Sequence, residues 1–381
     1  MSLDMTLNGA RVLTPEGWDS CAVPVSGGVI ADCAVGRAVD LSGYDLLPGL
    51  VDAHGDGFER HMAPRRGALR ERDAGMLAVA AELAACGITT AVIAQFWSWE
   101  GGLRGPDFAR EVFESVDVMR GSVPVDMRLQ LRLETHYLDE FAAAEAAIAR
   151  FGIRYVVFND HLPHARLAEG RKPPRLTGQA LKSRRNPEDY FRLLLDLHAR
   201  GPEVGPAVEA LCARLVAQGV TLGSHDDQTE ADRSVWRERG ARVSEFPETL
   251  EAAQAARDGG DFTVLGAPNV VRGASHAGNA SAQDLIAAGL CDALASDYHY
   301  PSPARAAWRC VELGLLDVAG AWALVSSGPA RLLGLTDRGV IAPGQRADLV
   351  VMERDSRRIV ATLAGGQVAW MSGPVAGRFV G

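Results

Sequence analysis

The chain has 381 residues, 47% of them hydrophobic, and a formal net charge of −9. That charge excludes a chain-wide basic surface for nucleic acid, and no apolar run approaches the 18 or more residues of a membrane helix. The length suits one barrel of about 250 residues plus a small satellite module.

The opening stretch MSLDMTLNGARVLTPEG has no basic segment followed by an apolar one, so no signal peptide is expected. The six cysteines (Cys21, Cys33, Cys86, Cys212, Cys291 and Cys310) form no CxxC pair. Scattered thiols of this kind suit a reduced, cytoplasmic enzyme.

Residues 1–47 alternate in short segments broken by Gly and Pro, as in MTLNGARVLT and CAVPVSGGVIADCAV, and read as β-hairpins. Between these and a similar tail, apolar runs alternate with Ala/Leu-rich helical stretches. The predicted strands are 46–54, 88–96, 126–134, 153–161, 220–227, 242–246, 262–268 and 291–297. Helical patterns such as FAAAEAAIARFG and GPAVEALCARLVAQG separate most of them, each ended by a Gly that favours a helix C-cap. Eight strand–helix alternations predict an α/β fold, a TIM-type (β/α)8 barrel over 51–336. The tail, GVIAPGQRADLVVMERD and RRIVATLAGGQVAWMSG, returns to the hairpin style. Residues 1–50 and 337–381 are therefore expected to pair into one β-sandwich domain. An open, doubly wound sheet is the alternative.

One gap is irregular. From His161 to the next strand is about twice a normal βα unit, and a long loop in a compact domain is usually functional or disordered. It carries seven Lys/Arg between Leu162 and Asn186 against one acid, Glu169. In an acidic chain, such an insertion suits an anionic ligand. A solvated surface excursion is the plainer reading.

The predicted strand ends hold metal-ligand side chains. His54 and Asp56 close the first, Glu134 the third, His161 the fourth, His225 with Asp226 and Asp227 the fifth, and Asp297 the eighth. C-terminal strand ends of a TIM barrel converge on one mouth, where active sites form. Imidazole and carboxylate are donors for Zn²⁺ and similar ions. A lone H-x-D is weak evidence, but donors on five strand ends together are strong. Glu245, ending the sixth strand, is the reserve carboxylate. Asp297 is the candidate catalytic group, with a helix N-cap as its structural alternative. His61, His276 and His299 are placed near the first, seventh and eighth strand ends, whereas His136, His164 and His198 read as ordinary surface or half-buried histidines. The segment GAPNVVRGASHAGNASA after the seventh strand is rich in small residues, and such loops make anion nests. Arg272, His276 and Asn279 there, with His61 and His299, are the candidate substrate-binding set.

LLPGLVDAHGD with RGVIAPGQRADLVV resembles the amidohydrolase superfamily, and HGDGFERHMAPR, SHDD, GAPNVVRGASHAGN and SDYHYP resemble the PhnM family. The likeness runs through nearly the whole chain. It implies a barrel with a metal centre, His54, Asp56, Glu134, His161, His225 and Asp297 being the metal-site positions. It also implies hydrolysis of α-D-ribose 1-methylphosphonate 5-triphosphate between the α- and β-phosphorus, releasing pyrophosphate, in the carbon–phosphorus lyase pathway. Two divalent ions, Zn²⁺ or Mn²⁺, fit this chemistry. The expected partner is a small phosphorylated substrate, with neither nucleic acid nor membrane, and the chain can form a homo-oligomer. The sequence departs from the family at Gly55 and Gly57, where Thr and Asn are usual, and in LPHARLAEGRKPP after Asp160-His161. Those departures leave room for a cyclic-amide hydrolase or deaminase, or for a non-catalytic scaffold subunit.

Overall fold

The structure is a computed structural model that describes residues 4–65, 71–273 and 280–380. Eight parallel strands form its centre: Leu50–Gly55, Ile88–Trp97, Asp126–Glu134, Tyr155–Asn159, Thr221–His225, Ala241–Glu245, Phe262–Gly266 and Ala293–Ala295. Each pairs with its sequence neighbours. The eighth returns to the first through a single parallel bridge between Gly55 and Asp297. Two backbone bonds clinch this closure, Asp297 N–H to the His54 carbonyl (3.0 Å) and Asp56 N–H to the Asp297 carbonyl (2.9 Å). Asp52 adds a third contact by accepting the Ser296 N–H at 2.9 Å.

Burial on both faces explains the strand sequences. Ile88–Trp97 is buried at every position, as near-continuous apolar runs in parallel sheets require. Inside the barrel, Ala53, Val92, Tyr155, Val157, Val243, Val264, Ala293 and Ala295 pack together. The helices outside bury their apolar stripes against the strands; Phe141–Phe151 ends at Gly152, whose left-handed backbone (φ 63°) terminates it.

Two further sheets come from the chain ends. A four-stranded sheet holds Met5–Asn8, Val23–Ser26, Val29–Ile30 and Arg37–Asp40. A six-stranded sheet mixes both termini, with Leu349–Glu353 antiparallel to Tyr44–Pro48. Met5, Leu7 and Val25 of one sheet share an apolar core with Val12, Leu46, Leu349 and Leu363 of the other.

Three expectations are refined. The stretch 46–54 is two strands, Tyr44–Pro48 pairing in the six-stranded sheet and Leu50–Gly55 in the barrel, with Gly49 between them where an added Cβ would sit 2.5 Å from Thr89 Oγ1. The insertion after His161 is not a loop but the helices His164–Ala168, Leu176–Lys182 and Pro187–Ala199. They fold because Leu162, Leu167, Leu176 and Leu194 bury against Trp99 and Tyr190 as a core of their own. After the seventh strand, Ala267–Arg272 is helical, with Pro in its first turn where a missing N–H costs nothing. No described helix is long and apolar enough to cross a membrane.

Candidate metal centre at the barrel mouth

The third strand illustrates how the fold aims its side chains. In DMRLQLRLE, alternate residues share a face, so Gln130, Arg132 and Glu134 line up and all three are buried. At the strand ends the donors gather into two groups, His54 with Asp56 and Asp297, and Glu134 with His161 and Glu100. Within each group the ligand atoms lie within 4.8 Å of one another. Five of the six expected ligands thus fall into these groups.

The sixth, His225, stacks near His54 with ring centroids 6.0 Å apart. What joins them is Glu245. Its Oε1 lies 3.0 Å from His54 Nδ1, its Oε2 3.0 Å from His225 Nδ1, and Gln130 and Tyr155 donate to Oε1 at 2.9 and 3.2 Å. The sixth-strand carboxylate is therefore the hub of the mouth. Among the described residues, however, His54 Nε2 is fully buried and has no hydrogen-bond partner, the ring's one polar contact being that of Nδ1 with Glu245. An orphaned buried imidazole nitrogen is rare and calls for a missing partner. With carboxylates and imidazoles around it, the donor set fits a divalent transition-metal ion.

Arg132 also shapes the mouth. Its Nη2 is 3.0 Å from His225 Nε2, its Nη1 is 3.5 Å from Asp56 Oδ2, and its guanidinium lies 3.8 Å from the centre of the Phe96 ring. Burial, then the positive charge of Arg132, pushes His225 down to about 3, so its ring is neutral and accepts the Arg132 N–H at Nε2 while donating to Glu245 from Nδ1. Burial, then the neighbouring Asp56, pushes the Asp297 carboxyl up to about 6. Burial opposes ionisation of Glu245, yet His54 and His225 hold its carboxyl well below the usual range. Burial likewise opposes charging of His161, and Glu134 outweighs it; that carboxylate contacts both His161 Nδ1 and the His161 N–H.

The remaining expected site residues lie elsewhere. His61 contacts Glu82 of the helix Asp73–Ala85, and His299 Nδ1 meets Ser302 Oγ at 2.7 Å at the start of the helix Ser302–Glu312. Neither belongs to the two donor groups. Arg272 is exposed and donates to Asn269 Oδ1 at 2.8 Å. Asn269, with Asp226, Phe246 and Glu248, lines a cavity of about 120 Å³ beside the fifth to seventh strand ends. His276 and Asn279 lie outside the described residues.

Sequence reasoning missed Glu100 and Arg132. Glu100 stands three residues beyond its strand, in WSWEGG, with no motif to mark it. Arg132 did carry a signal, a charge in the inward register of a buried strand, where an unpaired guanidinium is costly.

Comparison with known proteins agrees with this geometry. Residues 71–369 match a family described as the amidohydrolase family. The chain is 32% identical over 367 residues to the α-D-ribose 1-methylphosphonate 5-triphosphate diphosphatase of Escherichia coli (strain K12), covering 93% of this chain and 97% of that enzyme. Among solved structures, a Xaa-Pro dipeptidase with bound methionine in the active site aligns with TM-score 0.66 and 15% identity, covering 97% of this chain and all of its own. N-acetylglucosamine-6-phosphate deacetylase from Pasteurella multocida aligns with TM-score 0.62 and 12% identity, over 96% and 99% of the two chains. The resemblance read from the motifs is borne out. With its eight-stranded barrel and paired donor groups, the chain belongs to the amidohydrolase family of metal-dependent hydrolases.

Proposed function

We propose that the protein is a diphosphatase that cleaves the α–β phosphoanhydride of a ribosyl 5-triphosphate, releasing pyrophosphate, with α-D-ribose 1-methylphosphonate 5-triphosphate as its substrate. The observation that carries this reading is the 32% identity to the Escherichia coli diphosphatase along almost the whole of both chains.

The residues suit the chemistry. His54, Asp56 and Asp297 form one cation-binding group and Glu100, Glu134 and His161 the other, with His225 and Glu245 between the strands that carry them. Divalent ions bound there supply positive charge for phosphoryl oxygens and lower the pKa of water. Asp297, raised to about 6, holds a proton acceptor near neutral pH at its carboxylate oxygen. The buried Arg132 adds a fixed cation whose charge is felt by His54, His161, His225 and Asp297. A preorganised guanidinium of this kind stabilises charge that develops on a phosphoryl group. Arg272, at the rim, contacts the distal phosphates.

The test is a turnover screen of the metal-loaded protein against ribosyl triphosphates, nucleoside triphosphates and cyclic amides, with pyrophosphate and ammonia assayed separately. Pyrophosphate from the ribosyl triphosphate is the expected product. Ammonia from a cyclic amide without pyrophosphate would replace this reading with an amidohydrolase or deaminase activity.

A further inference from the structure

A second imidazole cluster lies beside the mouth, outside the two donor groups. His136 follows Glu134 by two residues, Asp160 precedes His161 by one, and His164 opens the first helix of the insertion. One ligand atom from each of His136, Asp160 and His164 lies within 4.8 Å of the others. The His164 ring is 4.8 Å from that of His136 and 5.1 Å from that of His198, which sits in the last turn of the helix Pro187–Ala199. Adjacent residues leave an extended backbone on opposite sides, which separates Asp160 from His161. His136 parts from Glu134 because the chain turns after the strand, the Tyr137 N–H bonding back to the Glu134 carbonyl at 3.1 Å.

We propose that His136, Asp160 and His164 form a separate site for a divalent transition-metal ion of the Zn²⁺ class, which pins the helical insertion to the barrel mouth, with His198 as its positioning residue.

Both nitrogens of His164 are accounted for. Nε2 lies 2.9 Å from Asp160 Oδ2, and Nδ1 lies 2.8 Å from His198 Nδ1. In that second contact one imidazole must donate and the other accept. When His164 Nδ1–H donates to His198, the lone pair on Nε2 faces the carboxylate, and a cation between them joins the two. This is the arrangement in which a ligating histidine gives its other N–H to a neighbour that fixes its tautomer. His136 Nδ1 is 3.5 Å from Asp160 Oδ1 and within 3.3 Å of Thr135 Oγ1. His136 is buried, so its ring is held in place beside Asp160. Two imidazoles and one carboxylate select Zn²⁺, Co²⁺ or Ni²⁺ over Mg²⁺ and Ca²⁺, which prefer all-oxygen sites. Asp160 and His164 are about 40% exposed, which leaves an entry path and room for water to complete the coordination. The ligands come from the exits of two strands and from the insertion, so occupancy ties Leu162–Ala199 to the loops that also carry Glu134 and His161.

Co²⁺ alone, added to metal-free protein, reads the site through its visible absorption and through bound equivalents. His164→Gln should bind one equivalent fewer than the unsubstituted protein while retaining the rest. His198→Gln should keep the stoichiometry with affinity for that equivalent lowered by about 10- to 100-fold. Limited proteolysis within 162–199 should slow when that equivalent is added to the unsubstituted protein and not when it is added to His164→Gln. Asp160→Asn serves as a second ligand variant should His164→Gln fold poorly. Equal stoichiometry and affinity in the unsubstituted protein and a folded ligand variant would overturn the proposal. Loss of every equivalent would also overturn it, because the cluster would then be part of the main centre.

Discussion

The two ends of the barrel hold their charged side chains in opposite conditions. At the bottom, a cavity of about 610 Å³ is lined by Arg120, Arg128, Arg154 and Arg331. Its charges are largely settled: Arg128 bonds Asp126, Arg120 pairs with Asp117, and Arg154 donates to the Gln218 carbonyl. Close by, Arg338 bonds Thr90, Asp126 and Asp337. At the mouth the cavity is smaller, but among the described residues buried His54 Nε2 has no hydrogen-bond partner, and three non-glycine residues take left-handed backbone, Asp226 (φ 59°), Phe246 (φ 57°) and Asp297 (φ 54°). Strain and unsatisfied polarity mark a working site better than volume does. One step along the chain repeats the contrast. Asp227 is bonded by Ser224, Ser244 and buried Arg233, whereas burial, then Glu248, pushes its neighbour Asp226 up to about 6.

The sharpest way to break the comparison is to change a mouth residue and ask whether the fold notices. Asp297→Asn keeps shape and one donor oxygen but loses basicity. Turnover should fall by about 10² to 10⁴ while metal content and urea stability change little. A large stability loss with turnover intact would make Asp297 structural. Arg233→Ala should behave in the opposite sense. It removes the buried cation shared by Asp227 and Asp261, leaving Asp227 only its serine donors, and its cost should be about 3 kcal/mol in urea unfolding. Arg272→Ala comes next, with a loss of about 1.5–3 kcal/mol in kcat/KM for a triphosphate and almost none for an uncharged amide. Equal losses on both substrates would remove Arg272 from substrate binding.

The smallest effect lies away from both ends, at Asp348, which accepts the Gly365 N–H and pairs with Arg346. Burial raises its pKa despite that arginine. Its contribution to stability is therefore complete below the ordinary value near 3.8 and shrinks as pH rises through the raised folded value. The destabilisation caused by Asp348→Asn should be greater at about pH 3.5 than at pH 7, as compared by urea midpoints. A cost that grows with pH would reverse the assignment.

Much of this was legible in the chain itself. Periodicity exposed the alternating strands and helices, because burial on two faces demands apolar runs and burial on one face demands a helical stripe. His54, Asp56 and Asp297 were legible for a related reason, since donors placed immediately after such runs must sit at a barrel's mouth. Tertiary structure alone decided the rest. The role of Glu245 as hub depends on the register between the fifth and sixth strands, which sets His225 opposite it. Glu100 reaches Glu134 and His161 across a turn whose path no local pattern specifies. His136, His164 and His198 looked like scattered surface or half-buried residues because imidazole is compatible with either a surface or a core. Only the packing of the insertion helices against Trp99 and Tyr190 brings those rings together, and contacts such as that of His164 with His198, 34 positions apart, are set by the folded core, not by neighbours in sequence.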